Sequence, residues 1–129
     1  MALVPSHTAA ELCTEATIAT LLTRRNLGAL TEALWGIFRA TDICDDRLRG
    51  VYLALSADQQ LEDPKGFWPK FKESRKLRHG VVHKGEPCTM QQARDSVEAV
   101  TQLIKHLEQQ AIAVTTDSGK AADTVDVQK

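Results

Sequence analysis

Seven apolar residues near the carboxyl end, Met90, Ala93, Val97, Val100, Ile104, Leu107 and Ala111, are separated by alternating steps of three and four. Only a helix brings such positions onto one side. The segment is therefore a long helix with one apolar seam, to be covered by a neighbour from the same chain or from a partner. What precedes it is equally restrictive. Gly85 suits the left-handed conformation that closes a helix, and Pro87 prevents continuation. Thr89-Met90-Gln91-Gln92 then has the form of a capping box, whose Thr and Gln side chains each satisfy a free backbone N–H, with Cys88 and Ala93 placed as a staple. One helix must stop and another start within a few residues, and the simplest covering for the new seam is the rest of a bundle.

Upstream, the same period recurs. Thr8-Ala9-Ala10-Glu11 reads as a first capping box, and Leu12, Ala16, Ala19 and Leu22 carry a helix from there to about Arg25. Leu27, Leu30, Leu34, Ile37 or Phe38, and Thr41 predict a second helix, ended by the polar run from Asp42 to Asp46. Leu48, Val51, Tyr52 and Leu55 predict a third. Ser56 to Gly66, with Pro64, is the longest connection. Phe67-Trp68-Pro69 opens a fourth helix that runs to about Lys84, since proline in a first turn forfeits no intrahelical bond. Val and Ile never alternate as in strands, and six aromatics do not furnish a stacking sheet. The expected architecture is all-α, an up-and-down bundle of about five helices in one domain over 8–113. From Val114 too little apolar surface remains to offset ordering, which predicts a flexible tail over 114–129.

Composition narrows the setting. With 129 residues, 43% hydrophobic and 26% charged, the chain matches an ordinary single globular domain. Cys13, Cys44 and Cys88 form no close pair, which suits a reducing compartment. The amino terminus lacks a charged and apolar leader, and no stretch approaches the ~18 apolar residues of a membrane span. A cytoplasmic location is expected.

Charge is distributed unevenly. From Lys65 to Lys84 there are seven cations and one acid, a balance of +6, whereas the whole chain carries −1, which leaves −7 elsewhere. The fourth helix is thus an anion-binding candidate. On a helical wheel Lys72, Arg75, Lys76, His79 and His83 fall within about 100° of arc. Phe67, Phe71, Leu77, Val81 and Val82 are expected to face the core, and Arg78 falls among them. An unpaired buried cation costs several kcal/mol, so Arg78 requires either an acid, with Glu32, Asp45 and Asp46 as candidates, or a cleft in which a ligand supplies the charge. The plainer reading makes the lysines a solvated face, Arg78 a structural ion pair, and His79 and His83 one surface and one hydrogen-bonded interior histidine.

His79 and His83 also have the spacing of two zinc ligands, and Cys88 could add a third. Gly80, however, stands where a metalloprotease of that pattern carries its Glu, and no fourth ligand is evident. The glycine-rich and nucleophile-elbow motifs of dinucleotide, ATP and ester chemistry are absent.

The segment Arg78-His79-Gly80-Val81-Val82-His83, close to the end of the penultimate helix and followed by a Gly-Pro turn and a capped last helix, resembles the signature of the HEPN superfamily. That signature is an Arg, a polar residue, a few more residues and a His. The likeness covers about residues 67–108. It implies a HEPN-like bundle and a toxin-like or defence-related endoribonuclease that cuts RNA without metal or cofactor, as a homodimer whose two motifs line one cleft. A nucleotidyltransferase-type antitoxin is a further implied partner. On this chain, His83 becomes the general acid or base at the ribose 2′-hydroxyl or the leaving oxygen, a role suited to imidazole with its ordinary pKa of ~6.5. Arg78 becomes the clamp on the scissile phosphate. His79 orients or shares the proton transfer, and Lys72, Arg75, Lys76 and Lys84 hold flanking phosphates. Five residues apart on one helix, Arg78 and His83 diverge by about 140°, so a second copy is expected to complete the site. Two rival readings remain: a non-catalytic dimerisation module that binds RNA, a nucleotide or a protein, and a structural domain that uses the last helix's seam.

Overall fold

The computed structural model describes the backbone of residues 3–38 and 41–128 and the side chains of 6–38 and 41–113. Its elements are α1 (Leu3–Arg24), a single 3-10 turn (Gly28–Leu30), α2 (Thr31–Ile37), α3 (Asp46–Ser56), α4 (Trp68–Lys84) and α5 (Met90–Gln128). No strand occurs among the described residues. The all-α expectation holds.

α1 packs chiefly along α5, which also takes α4, while α3 and α4 make smaller contacts with α1. The core where they meet comprises Ile18, Leu21 and Leu22 of α1, Leu48 and Tyr52 of α3, Trp68 and Phe71 of α4, and Ala99, Val100, Leu103 and Leu107 of α5. Ile43 and Leu61 join it from connections. Val100 is 1% exposed, so the α5 seam is used inside the chain. Its buried line is displaced from the expected one: Met90 is exposed, whereas Ser96, Ala99 and Leu103 are buried.

Two corrections concern the first half. α1 begins at Leu3, ahead of the Thr8-x-x-Glu11 pattern, because the buried stripe continues backwards from Leu21 through Ile18, Thr14 and Ala10 to His7. Its end is a left-handed closure at Asn26 (φ 61°), with Leu27 N–H donating to Leu22 O at 2.8 Å and Asn26 N–H to Thr23 O at 3.1 Å. Leu27 is thereby used to close α1 and is not available to start a second helix. The expected long second helix is a 3-10 turn followed by seven residues of α2, none of them buried.

The remaining punctuation follows the side chains. Asp45 caps α3, accepting from Arg47 N–H at 2.9 Å and Leu48 N–H at 3.2 Å. Beyond Ala57, left-handed at φ 55°, the buried Asp58 accepts from Tyr52 OH (2.7 Å) and Gln60 N–H (2.9 Å), and its Oδ2 lies 2.5 Å from His106 Nε2. Burial alone would raise the Asp58 carboxyl, but the hydrogen bonds from His106, Tyr52 and Gln60 hold it below the usual carboxylate range. Burial, followed by the hydrogen bond to Asp58 and the charge of that carboxylate, pushes Tyr52 upward. One carboxylate thus joins α3, the 57–67 connection and α5.

Gly85 (φ 65°) closes α4, and both bonds of the Thr89–Gln92 capping box are made, at 2.9 and 3.0 Å. The α5 backbone is helical through Gln128. The expected flexible tail over 114–129 falls outside the residues whose side chains are described.

Candidate functional site

α4 presents the motif against the first turns of α1 and the connection that follows α2. Thr41 Oγ1 donates to Glu11 O at 3.0 Å and fastens that connection to α1. Arg49 donates to Cys44 O at 3.1 Å and holds it from the α3 side. The three elements enclose a cavity of about 50 Å³, walled by His7, Ala10, Glu11 and Thr14 of α1, Thr41, Asp42 and Ile43 of the connection, and Phe71, Arg75, Arg78 and His79 of α4.

Arg78 is half-buried, and its Nε is shielded from solvent with no hydrogen-bond partner among the described residues. None of the three acids expected to pair with it does so: Asp45 caps α3, Asp46 pairs with Arg49, and Glu32 is exposed on α2. The reason is topological. α2 is short and its acid points to solvent, while the two aspartates are spent at the start of α3. Of the two alternatives for Arg78, the structure provides the cleft.

Arg75 is already engaged. Its Nε and Asp42 Oδ2 form an ion pair, and Asp42 Oδ1 also accepts from Cys44 N–H at 2.9 Å. Burial, followed by the charge of Asp42, pushes the Cys44 thiol up to about 12, so it stays protonated. Lys72, Lys76 and Lys84 are exposed on α4.

His79 lines the cavity beside Arg78, and its ring lies against that of His83, with centroids 4.5 Å apart and planes at 45°. His83 is exposed and lies outside the cavity. The plainer reading, with one histidine of this pair in the interior, is not met, since both are exposed. Val82, expected in the core, is 47% exposed. The single chain therefore brings Arg78 and His79 together, and connects His83 to them only through His79. Gly80, inside the motif, is buried because Glu86 folds back across it. A Cβ at this position would overlap the Glu86 carboxylate, and Glu86 N–H also reaches Gly80 O at 3.2 Å.

A residue outside the motif completes the cavity. His7 is 4% exposed, its Nε2 is 2.7 Å from Ser74 Oγ, and its ring stacks on Phe71 at 5.7 Å. Burial, reinforced by the neighbouring charges of Arg78 and Arg75 and opposed by Asp42, pushes its pKa down to about 4, which leaves it neutral at physiological pH. The sequence carried a signal for His7, because it continues the three-and-four stripe of Ala10, Thr14 and Ile18. Among the described residues no three His, Cys, Asp or Glu side chains stand close enough to share an ion, and no helix is long and apolar enough to cross a membrane. No protein-family model, no curated protein and no solved structure matches the chain.

Proposed function

We propose that the protein is a cytoplasmic, metal-independent endoribonuclease of the HEPN type, toxin-like or defence-related, that works as a homodimer on RNA, with an antitoxin or nucleotidyltransferase as a further partner. The observation that carries this reading is the half-buried Arg78 guanidinium, without an acid partner among the described residues, beside His79 in one cavity. A guanidinium left without an acid inside a fold is costly, and an incoming phosphate offsets that cost.

The chemistry follows from the side chains. One imidazole, His83, takes the proton from a ribose 2′-hydroxyl as that oxygen attacks phosphorus. Arg78 stabilises the extra negative charge on the phosphoryl oxygens. The 5′-oxygen leaves as its bond to phosphorus breaks and receives a proton from a second imidazole, for which His79 is the nearest candidate. The products are a 2′,3′-cyclic phosphate and a 5′-hydroxyl. The exposed Lys72, Lys76 and Lys84 supply attraction to flanking phosphates without sequence choice.

The test is incubation of total RNA with the protein in EDTA. Cleavage is expected, and it disappears in Arg78→Ala and His83→Ala while helicity by circular dichroism is retained. Cleavage that requires added metal, or that survives both substitutions, refutes the proposal. A second reading, binding without cleavage, is favoured by the position of His83 outside the cavity of its own chain. Intact RNA together with tight, salt-sensitive binding selects it.

A further inference from the structure

The cavity has features that the motif alone does not account for. It is small: at roughly 10–15 Å³ of such space per water, its volume of about 50 Å³ takes a few waters or one tetrahedral oxyanion, and neither a base nor a ribose. Its back wall is a histidine from another helix, His7, held by Ser74 and by stacking on Phe71. Nε2 is occupied by Ser74, and among the described residues Nδ1 has no partner, which leaves one ring nitrogen for a ligand. Arg78 contributes a guanidinium that forms no ion pair among the described residues, and His79 a third nitrogen group. Two carboxylates also line the space. Asp42 is bound to Arg75, so a carboxylate oxygen already occupies the position where an anion would meet that guanidinium. Glu11 stands on the α1 wall.

We infer that each protomer holds a closed-ended oxyanion site, formed by His7, Arg78 and His79, that receives the terminal phosphate monoester of a nucleotide or of an RNA end. A monoester has one substituent and three free oxygens, so it can enter a narrow pocket oxygens first. An in-chain diester carries sugar on two sides and cannot. The strand-cutting site proposed above shares Arg78 and His79 with this pocket: a diester meets them from the rim beside His83, whereas a monoester passes inward to His7. The inference stands whether or not the rim cuts RNA.

The experiment is calorimetric titration of the full chain, in EDTA and chloride buffer, with inorganic phosphate, 5′-AMP, a 5′-phosphorylated RNA oligomer, its 5′-hydroxyl counterpart and dimethyl phosphate. In parallel, the histidine ring signals are followed by NMR. Inorganic phosphate is expected to bind saturably and to move the His7 ring signals, while those of His106, which does not line the cavity, stay in place. Dimethyl phosphate binds at least about tenfold more weakly, as does inorganic phosphate to Arg78→Met and His7→Gln, tenfold being about 1.4 kcal/mol, the low end for a charge-assisted hydrogen bond. 5′-AMP tighter than the phosphorylated oligomer marks a nucleotide site, and the reverse order marks an RNA-end site. No saturable phosphate binding, equal affinity for the diester, or an unmoved His7 overturns the inference, and the NMR measurement on the unaltered protein holds even if the His7 variant does not fold. Phosphate binding by a protein that cuts no RNA sustains this inference and sinks the nuclease reading; RNA cleavage by a protein that binds no phosphate does the reverse.

Discussion

Replacing Arg78 by Met tests the central premise through stability alone. Met fills nearly the same path as the Arg stem and has no polar atom that needs a partner. A buried polar group without a partner costs about 1–3 kcal/mol. Because Arg78 as a whole is half-buried and only Nε is orphaned, the lower end applies, and Arg78→Met is expected to stabilise the ligand-free protein by about 1 kcal/mol. For a chain of this size that raises Tm by roughly 3–6 °C. The assay is thermal unfolding followed by far-ultraviolet circular dichroism in chloride buffer, repeated with inorganic phosphate. At a hundredfold excess over its Kd, phosphate stabilises the unaltered protein by about 2.7 kcal/mol, whereas a variant that binds tenfold more weakly gains only about 1.4 kcal/mol. A lower Tm for Arg78→Met in chloride would show that the guanidinium is satisfied in solution, and the reasoning from an unfilled donor would fail.

Asp42→Asn releases Arg75 and removes a competing carboxylate, so RNA affinity is expected to rise about threefold to tenfold, most at low salt; filter binding at two ionic strengths checks this, and unchanged affinity shows that Arg75 takes no part. Asp58→Asn deprives His106 and Tyr52 of their shared acceptor and is expected to cost about 2–3 kcal/mol in urea unfolding; a loss under 0.5 kcal/mol contradicts the role given to that carboxylate. The contributions of His7 and Asp58 to acid sensitivity have the same sign. The folded His7 pKa, about 4, lies below the ordinary 6.5, so its contribution is complete above pH 6.5 and is lost as pH falls towards 4. The folded Asp58 pKa lies below the ordinary 3.8, so its contribution is complete above about 3.8 and is lost below that. His7→Gln is therefore expected to flatten Tm against pH between 6.5 and 4 and leave the fall below 4 in place; a curve that still slopes between those values assigns the effect to another group. Gly80→Ala gains about 1 kcal/mol of helix preference and displaces only the flexible end of Glu86, so a small net stabilisation is expected, and a loss above 1 kcal/mol in the same urea assay would mean that Glu86 is fixed in place.

The second half of the fold was legible because its signals are local. Gly85, Pro87 and the Thr89–Gln92 box act over a few residues, and the structure contains each of them as the sequence implies. The first half misled for equally physical reasons. Thr8-x-x-Glu11 has the composition of a cap but lies on the second turn of a helix that the buried His7–Leu21 stripe prolongs. Gly28 and Gly36 weaken the stretch that the spacing of Leu27, Leu30 and Leu34 would otherwise make one helix. At the site, the charge excess of α4 is visible to counting, but counting cannot show pairing. Arg75 finds Asp42 across 33 positions, while Arg78, closer in number to many acids, finds none among the described residues. The position of a charge on a wheel gives its direction, and its partner depends on how separate helices are brought together.

The eleven residues between α3 and α4 have a further consequence for how this chain can change in length. They are moored at their second residue, Asp58, and again at the buried Leu61, whereas 62–66 are all exposed. Added residues are therefore absorbed only at the Asp63-Pro64-Lys65-Gly66 end, where no buried backbone is displaced. Lengthening the other end would pull Asp58 off its mooring and turn a tolerated insertion into a folding defect.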